Sequence, residues 1–421
     1  MYIRSSAEHA GAIAAIDIGS NSIHMVVARV DKSGHLDVLD ADKVGVRLGN
    51  YILANGNLSS EGEIKALKIV RHMAEIAKAY KASVRAVATH ALREAKNHSE
   101  VIERIFKKCG VKIDIIDGVE EARLVFLGMR YALPIEHQLC LGMDIGGGST
   151  EFIIGKGDDI HFATSLKIGA VTLTRSCFGS SPPTSKQLRL LHDQIRLRVD
   201  PLVPQISREH FKKAIASSGT AKAIAAVHCR LFKRRLLKDE NGYRIPVFEL
   251  NAIIKALEEL KSAKNIRTTF GVDASRAEIL LAGAAVMKEA SRAFQIKEWI
   301  ITTFGLREGV VIDTYRRMGN ERLGEASDIR GDQVTMLGRD WRIDEIYAGQ
   351  VARLTLSIFD QLAPILYPKK VDGTLEGKWL GDRDLLRVAA WLHECGKFIS
   401  TSSYHKHGYY LVNNSRLSGF T

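Results

Sequence analysis

Apolar positions concentrate in two short runs that share one layout, each interrupted by a carboxylate. Residues 11–30, GAIAAIDIGSNSIHMVVARV, read as strand, tight turn, strand, with Gly-Ser-Asn-Ser supplying the reversal. Residues 139–155, LCLGMDIGGGSTEFIIG, repeat the pattern. Aligning Asp144 on Asp17 brings Ile145 onto Ile18, Gly146 onto Gly19 and Ser149 onto Ser22. The match predicts a duplicated α/β domain of βαβ type, each copy opening with a Gly-containing turn.

Other elements follow from spacing. Ile64, Leu67, Ile69, Val70, Met73 and Ile76 predict a helix over 61–80. Strands are expected at 84–89 and 111–116, with helices from about Ala91 and Glu120. A third strand, turn and helix follow at 214–227, AIASSGTAKAIAAV, and a fourth set at 298–313, EWIITTFGLREGVVID. Past residue 314 the strand signal fades, and WRIDEIYAGQVARLTLSIFDQL is the clearest amphipathic run of a helical remainder. For 421 residues two or three domains are expected. The boundaries are placed at 1–134, 135–313 and 314–421.

Composition narrows the class. An apolar fraction of 46% and a charged fraction of 26% suit an ordinary globular chain. No apolar run approaches the roughly 20 residues that span a bilayer, so no membrane partner is expected and a cytoplasmic location is. Cysteines at 109, 140, 177, 229 and 395 are scattered and form no CxxC, which points to free thiols. The net charge of +12 calls for an anionic partner. Nucleic acid is disfavoured, because aromatic residues make up only 7% and no nucleic-acid-binding signature occurs. The basic run 229–238, CRLFKRRLLK, suits an exposed track for a polyanion.

The two turns carry the first candidate chemistry. Each strand ends in Asp-Ile-Gly, which sets a carboxylate at the carboxyl edge of a sheet, where open α/β folds bind ligands. Gly19, Ser20, Asn21 and Ser22, and Gly146, Gly147, Gly148 and Ser149, offer backbone and side-chain donors to phosphate. Gly219 and Thr220 in Ser-Ser-Gly-Thr offer a third set. Asp17 and Asp144 would repel phosphate oxygen directly, so their expected role is to hold a divalent cation, Mg2+ or another, or its bound water. Glu120 and Glu121 open a helix about 100° apart on its surface, so one faces a site while the other caps or salt-bridges.

Together AAIDIGSNSIHMVVARV, GVEEARLVFLGM, LGMDIGGGSTEFIIG, ASSGTAKAIAAV and GLREGVV resemble the exopolyphosphatase / guanosine pentaphosphate phosphatase family, from about residue 12 onward. The resemblance implies two actin-like (ribonuclease H-like) domains of the actin, sugar-kinase and chaperone ATPase superfamily, followed by a helical HD-like module. It implies hydrolysis of terminal phosphate from polyphosphate or, alternatively, from guanosine pentaphosphate. It assigns the general base to Glu121, metal and water ligands to Asp144 and Glu151, and phosphate contacts to Arg93 and Arg47. The Asp144 loop is expected nearest metal and water, and the Asp17 loop to grip phosphate. His24 aligns with Glu151 in the duplication and is expected to pack in its strand. A sugar kinase or ATPase would use similar loops, but G-x-E-E-A-R-L argues against that class.

The segment AAWLHECGKFI, followed by His405 and His407, resembles an HD phosphohydrolase domain. Glu394 stands where such a centre needs Asp, and no histidine occurs between 317 and 392. The module is therefore expected to be degenerate, to serve substrate binding or a homodimer, and, beside the family's long members, to be truncated at Thr421.

Overall fold

A computed structural model of the chain describes residues 11–30, 36–135, 137–178, 183–234 and 241–318, then 334, 337–339, 341–367 and 379–414. It divides into two units, residues 1–325 and 326–421. In the first unit, strands β1 (Ile13–Ile18), β2 (Ser22–Val30), β3 (Leu36–Gly45), β4 (Ser83–Ala88) and β5 (Ile113–Ile115) form a sheet of order β3-β2-β1-β4-β5. Strands β6 (Cys140–Ile145), β7 (Thr150–Lys156), β8 (Asp159–Leu166), β9 (Lys213–Ser217), β10 (Tyr243–Pro246) and β11 (Glu298–Ile301) form a second, of order β8-β7-β6-β9-β11-β10. Each sheet opens with an antiparallel hairpin whose first strand also pairs in parallel with a later one, β1 with β4 and β6 with β9. The second differs by the added β10, antiparallel to β11. The duplication seen in the two Asp-Ile-Gly segments thus extends to whole sheets.

The predicted elements appear with small shifts: helix α1 at Ser60–Ala79, β4, β5, and a helical stretch split into α2 (His90–Glu94) and α3 (His98–Cys109). Ala95 adopts an extended conformation and causes the split. Helix α4 spans Gly118–Ala132, capped by Asp117, whose carboxylate accepts from Val119 N at 3.0 Å and Glu120 N at 2.8 Å. Between β8 and β11 run α5 (Ala170–Cys177), α6 (Ser185–Val199), α7 (Val203–Ile206), α8 (Ser218–Leu231), α9 (Val247–Leu260), α10 (Ala263–Phe270), α11 (Ala274–Ala277) and α12 (Leu280–Ala293). Helix α13 is Leu306–Arg317.

Strand parity explains the core. In β1, Ala14 and Ile16 pack outward with α1 and α3, while Ile13 and Ala15 face a layer that also contains α4 and α13. In β6, Leu141, Met143 and Ile145 join the core built with α5, α6, α8, α9 and α12, while Cys140 faces the shared layer. Helices α4 and α13 therefore lie between the sheets. They pack backbone to backbone: a Cβ on Gly309 would sit 1.8 Å from Leu124 O, and one on Gly128 2.3 Å from Gly305 O. Asp313 of α13 ties this pair to β4, accepting from Arg85 at 2.5 Å and Arg123 at 2.8 Å.

The C-terminal unit is helical where described, with helices Glu345–Leu366, Trp379–Leu392 and Tyr404–Asn414. The first two pack together. Among the described residues no helix is long and apolar enough to cross a membrane. Cys140, Cys177, Cys229 and Cys395 are buried free thiols, and Cys109 is half-buried. Of the basic run, residues 235–238 lie outside the described residues; Arg230, Lys233 and Arg234 are exposed, and Arg234 pairs with Glu249 at 2.8 Å.

Candidate active site

The parity that turns Ile13 and Ala15 inward turns Asp17 inward too, at the end of β1. Cys140 does the same for Asp144, Ile153 for Glu151, Val26 for His24 and Ile215 for Ser217. Polar groups from both sheets thus converge at one end of the shared layer, where the N-termini of α4 and α13 also open. The result is a cleft of about 390 Å3. Asp17, Asp144 and Glu121 line it, with the two hairpin turns on either side.

The second turn shows how a phosphate loop is built. The carbonyls of Gly146, Gly147 and Gly148 accept from Ala170 N, Val171 N and Gly169 N at 2.9, 2.9 and 3.2 Å. In a planar trans peptide the N–H lies opposite the C=O. The amides of Gly147, Gly148 and Ser149 therefore point away from α5, and all three residues border the cleft. In the first turn Ser20 O accepts from Gly49 N at 3.1 Å and Asn21 O from Val46 N at 3.0 Å, which turns the Asn21 and Ser22 amides the opposite way. The third turn differs. Ser218, at φ 97°, uses its hydroxyl to accept from Thr220 N at 3.1 Å and Ala221 N at 3.3 Å, so those donors are spent.

The acidic groups share one environment. Burial pushes the Asp17 carboxyl up to about 7, and nearby Glu121 adds to it, with Arg307 opposing. Asp144 is likewise pushed up to about 7 by burial and by Glu121, against Ser217, Arg276 and Arg307. Burial raises Glu121 above its ordinary value, and Arg93 opposes that rise. Glu151, fully buried, is raised well above its ordinary value by burial and by Glu121 and Asp144. Buried oxygens with no hydrogen-bond partner among the described residues recur here: Asp17 Oδ1, Asp144 Oδ1 and Glu151 Oε2.

Glu120 and Glu121 have separated duties. Glu120 binds Arg123 at 2.7 Å on the outer side. Glu121 faces the cleft and accepts from Arg93 Nη1 at 2.9 Å. The structure places Arg93 on Glu121 and on Ile116 O, also 2.9 Å, and not on the cleft wall. Arg47 lies off the cleft as well, paired with Glu278 at 2.9 Å. Thr220 is buried against Gly283, while Gly219 borders the cleft beneath the Arg276 guanidinium. Glu151 sits behind Asp144, opposite it across β6 and β7, with Oε1 accepting from Ser165 at 2.7 Å.

Several cleft residues carried no sequence signal. Arg276 stands on the one-turn α11, and its guanidinium has no hydrogen bond or ion pair among the described residues. Lys43, at the end of β3, and Lys222, in α8, border the cleft, as does His90. Arg307 sits within Gly-Leu-Arg-Glu-Gly, and its place at the start of α13 could have marked it. His24 borders the cleft rather than simply packing in its strand; burial and the neighbouring cations keep it neutral.

Among the described residues no group of three or more His, Cys, Asp or Glu side chains forms a ready-made metal cage. The orphaned oxygens of Asp17 and Asp144 still fit Mg2+, which commonly takes one or two carboxylates and completes its shell with water and substrate phosphate.

The Ppx/GppA phosphatase family profile matches residues 25–318, and that for Ppx/GppA phosphatase, domain III matches 329–421. The chain belongs to the Ppx/GppA phosphatase family. Exopolyphosphatase 1 of Mycobacterium tuberculosis is 30% identical over 320 residues, 74% of this chain and 89% of that protein. The guanosine-5'-triphosphate,3'-diphosphate pyrophosphatase of Photobacterium profundum is 26% identical over 412 residues, 97% of this chain and 77% of that one. The crystal structure of an exopolyphosphatase from Cytophaga hutchinsonii superimposes with a TM-score of 0.67 at 25% identity, covering 75% of this chain and 100% of that one. The Aquifex aeolicus Ppx/GppA family member gives 0.63 at 25% identity, covering 73% and 98%. This Ppx/GppA phosphatase is thus a hydrolase of phosphoric anhydride bonds, with the cleft between its two sheets as candidate centre.

Proposed function

We propose that the chain hydrolyses the terminal phosphate of inorganic polyphosphate, with Glu121 as general base. Guanosine pentaphosphate, converted to the tetraphosphate, is the alternative substrate. The observation that carries this reading is Glu121: a buried carboxylate with a raised pKa, facing amide donors from both hairpin turns. Burial raises the proton affinity of this carboxylate, which suits a general base.

The terminal phosphoryl group is held by the amides of Gly147, Gly148 and Ser149, with Gly19, Ser20, Asn21 and Ser22 on the opposite wall. Arg276 and Arg307 neutralise oxygens that gain charge as the anhydride bond breaks, the main catalytic contribution in phosphoryl transfer. Arg93 fixes the Glu121 carboxylate, and Glu121 takes the proton of a water in line with the leaving phosphate. Asp17 and Asp144, with Glu151 behind, would hold a divalent cation, which supplies further charge neutralisation. The actin-like character of the two domains is supported by the shared strand order.

The C-terminal unit is read as a degenerate HD-like module without chemistry of its own, serving substrate binding or a homodimer. His393 Nδ1 bonds Ala390 O at 2.7 Å, Glu394 holds Lys397, and among the described residues no third His, Cys, Asp or Glu joins them in a metal-holding group. A cytoplasmic location is part of the same reading.

The test is phosphate release with Mg2+ from long-chain polyphosphate, guanosine pentaphosphate and ATP in separate reactions. Release from either of the first two is expected. ATP hydrolysis alone would replace this reading with that of an ATPase.

A further inference from the structure

One row of residues crosses the second sheet. Ser217, Asp144, Glu151 and Ser165 stand directly opposite one another on β9, β6, β7 and β8. Residues opposite in this way share a face. Here it is the inward face, since Ala163 of β8 packs against the shared layer. The first sheet carries the matching row Val87, Asp17, His24 and Lys43. The duplication thus sets Ser165 where the other half has Lys43. Lys43 borders the cleft, whereas Ser165 does not. A hydroxyl replaces the cation, and its partner is a carboxylate of the protein.

Ser165 Oγ donates to Glu151 Oε1 at 2.7 Å. The other oxygen, Oε2, is buried with no hydrogen-bond partner among the described residues. A purely structural pair would cover both oxygens, because an unpaired buried carboxylate oxygen costs free energy. Fixing one oxygen leaves the other free for a ligand. The serine is held in turn. Gly118, the first residue of α4, packs on it: a Cβ there would come 2.4 Å from Ser165 Cβ and 3.1 Å from Oγ. Glu121 lies in the first turn of the same helix. One serine therefore touches both the carboxylate row and the helix that carries the base.

We infer that Ser165 is a positioning residue, which locks the Glu151 carboxylate with Oε2 free for a divalent cation or its bound water. It meets neither the substrate nor the attacking water and acts through Glu151. Its seat against Gly118 keeps that carboxylate in register with the start of α4. The inference deepens the phosphatase reading of the cleft, on which the assignment of a cation to Asp17, Asp144 and Glu151 rests.

The test uses the full chain and Mn2+ alone, without substrate, as the probe. Affinity is measured by calorimetry for the wild type, Ser165→Ala, Glu151→Gln and the double variant, and each protein is melted without metal. Alanine keeps the Cβ that packs on Gly118 and removes only the hydroxyl. Ser165→Ala should weaken Mn2+ binding about 10–100-fold, the usual worth of a group that orients a metal ligand. In the Glu151→Gln background the same change should cost far less, because the group it acts through is already altered. If Glu151→Gln abolishes binding, a loss of affinity in Ser165→Ala with an unchanged metal-free melt supports the inference alone. Unchanged Mn2+ affinity in Ser165→Ala, whatever its melting temperature, would make the serine structural and overturn the inference. Equal losses in both backgrounds would overturn it as well, as would a wild type that binds no Mn2+. Phosphate release is assayed in parallel. A wild type that releases none from any substrate, yet binds Mn2+ with the expected pattern, would sink the phosphatase reading and leave this inference standing.

Discussion

Crowding acidic groups into one cleft costs stability, and Asp144→Asn should recover part of it. Asparagine keeps the shape but carries no charge. The Asp144 carboxyl is raised from 3.8 to about 7. Its folded-state pKa therefore exceeds the unfolded one, and the folded form binds the extra proton between those values. Stability falls as pH rises through that window, and the full cost is present above it. About three units at about 1.36 kcal/mol each sets an upper bound of about 4 kcal/mol, and sharing the strain with Asp17 and Glu121 lowers it to roughly 2–4. At about 2 °C per kcal/mol for a unit of this size, Asp144→Asn should melt roughly 4–8 °C higher at pH 8. At pH 4 the two proteins should melt together. The assay is a thermal melt of both proteins at both pH values without divalent cation. A variant that melts at or below the wild type at pH 8, or that gains equally at both pH values, would refute the electrostatic reasoning.

Further outcomes follow from particular contacts. Gly309→Ala should cost about 3 kcal/mol or more, since its Cβ would meet Leu124 O at 1.8 Å, where backbone cannot yield; a denaturant midpoint like the wild type's would contradict the close packing of α4 on α13. Arg276→Ala should lower kcat/KM about 10–100-fold, the range for a lost charged contact, and steady-state kinetics would show it. Glu289 is fully buried and holds His192, Arg196 and Arg292, which keep its carboxyl well below the ordinary range despite burial. A depressed folded pKa contributes stability above the unfolded value that is lost in acid. Glu289→Gln should therefore cost about 3 kcal/mol at pH 7, and the gap should shrink below about pH 4.

The sequence disclosed the hairpins and their aspartates because both are local. Strand, turn and strand lie within about twenty residues, and alternation of buried side chains marks them. The edge strands β3 and β8 escaped notice because their residues are mostly half-buried or exposed, which dilutes the alternation. The choice between Glu120 and Glu121 needed packing: the lattice of Arg123 and Asp313 claims Glu120, and Asp313 lies far along the chain on α13. The cations were hidden for the same reason. Arg276 reaches the cleft from a one-turn helix, and no local pattern sets it over Gly219. Arg93 shows the converse: the residue was legible, but its placement on Glu121 depended on how α2 meets α4.

The central claim is that Glu121 activates the attacking water. Its direct measurement is phosphate release by Glu121→Gln beside the wild type, with kcat and KM determined for polyphosphate and guanosine pentaphosphate. Glutamine fills the same space and leaves both hairpin turns in place. The account predicts a fall in kcat of about 10²–10⁴, the usual worth of a general base, with KM nearly unchanged. A variant that turns over at the wild-type rate would remove Glu121 from the chemistry.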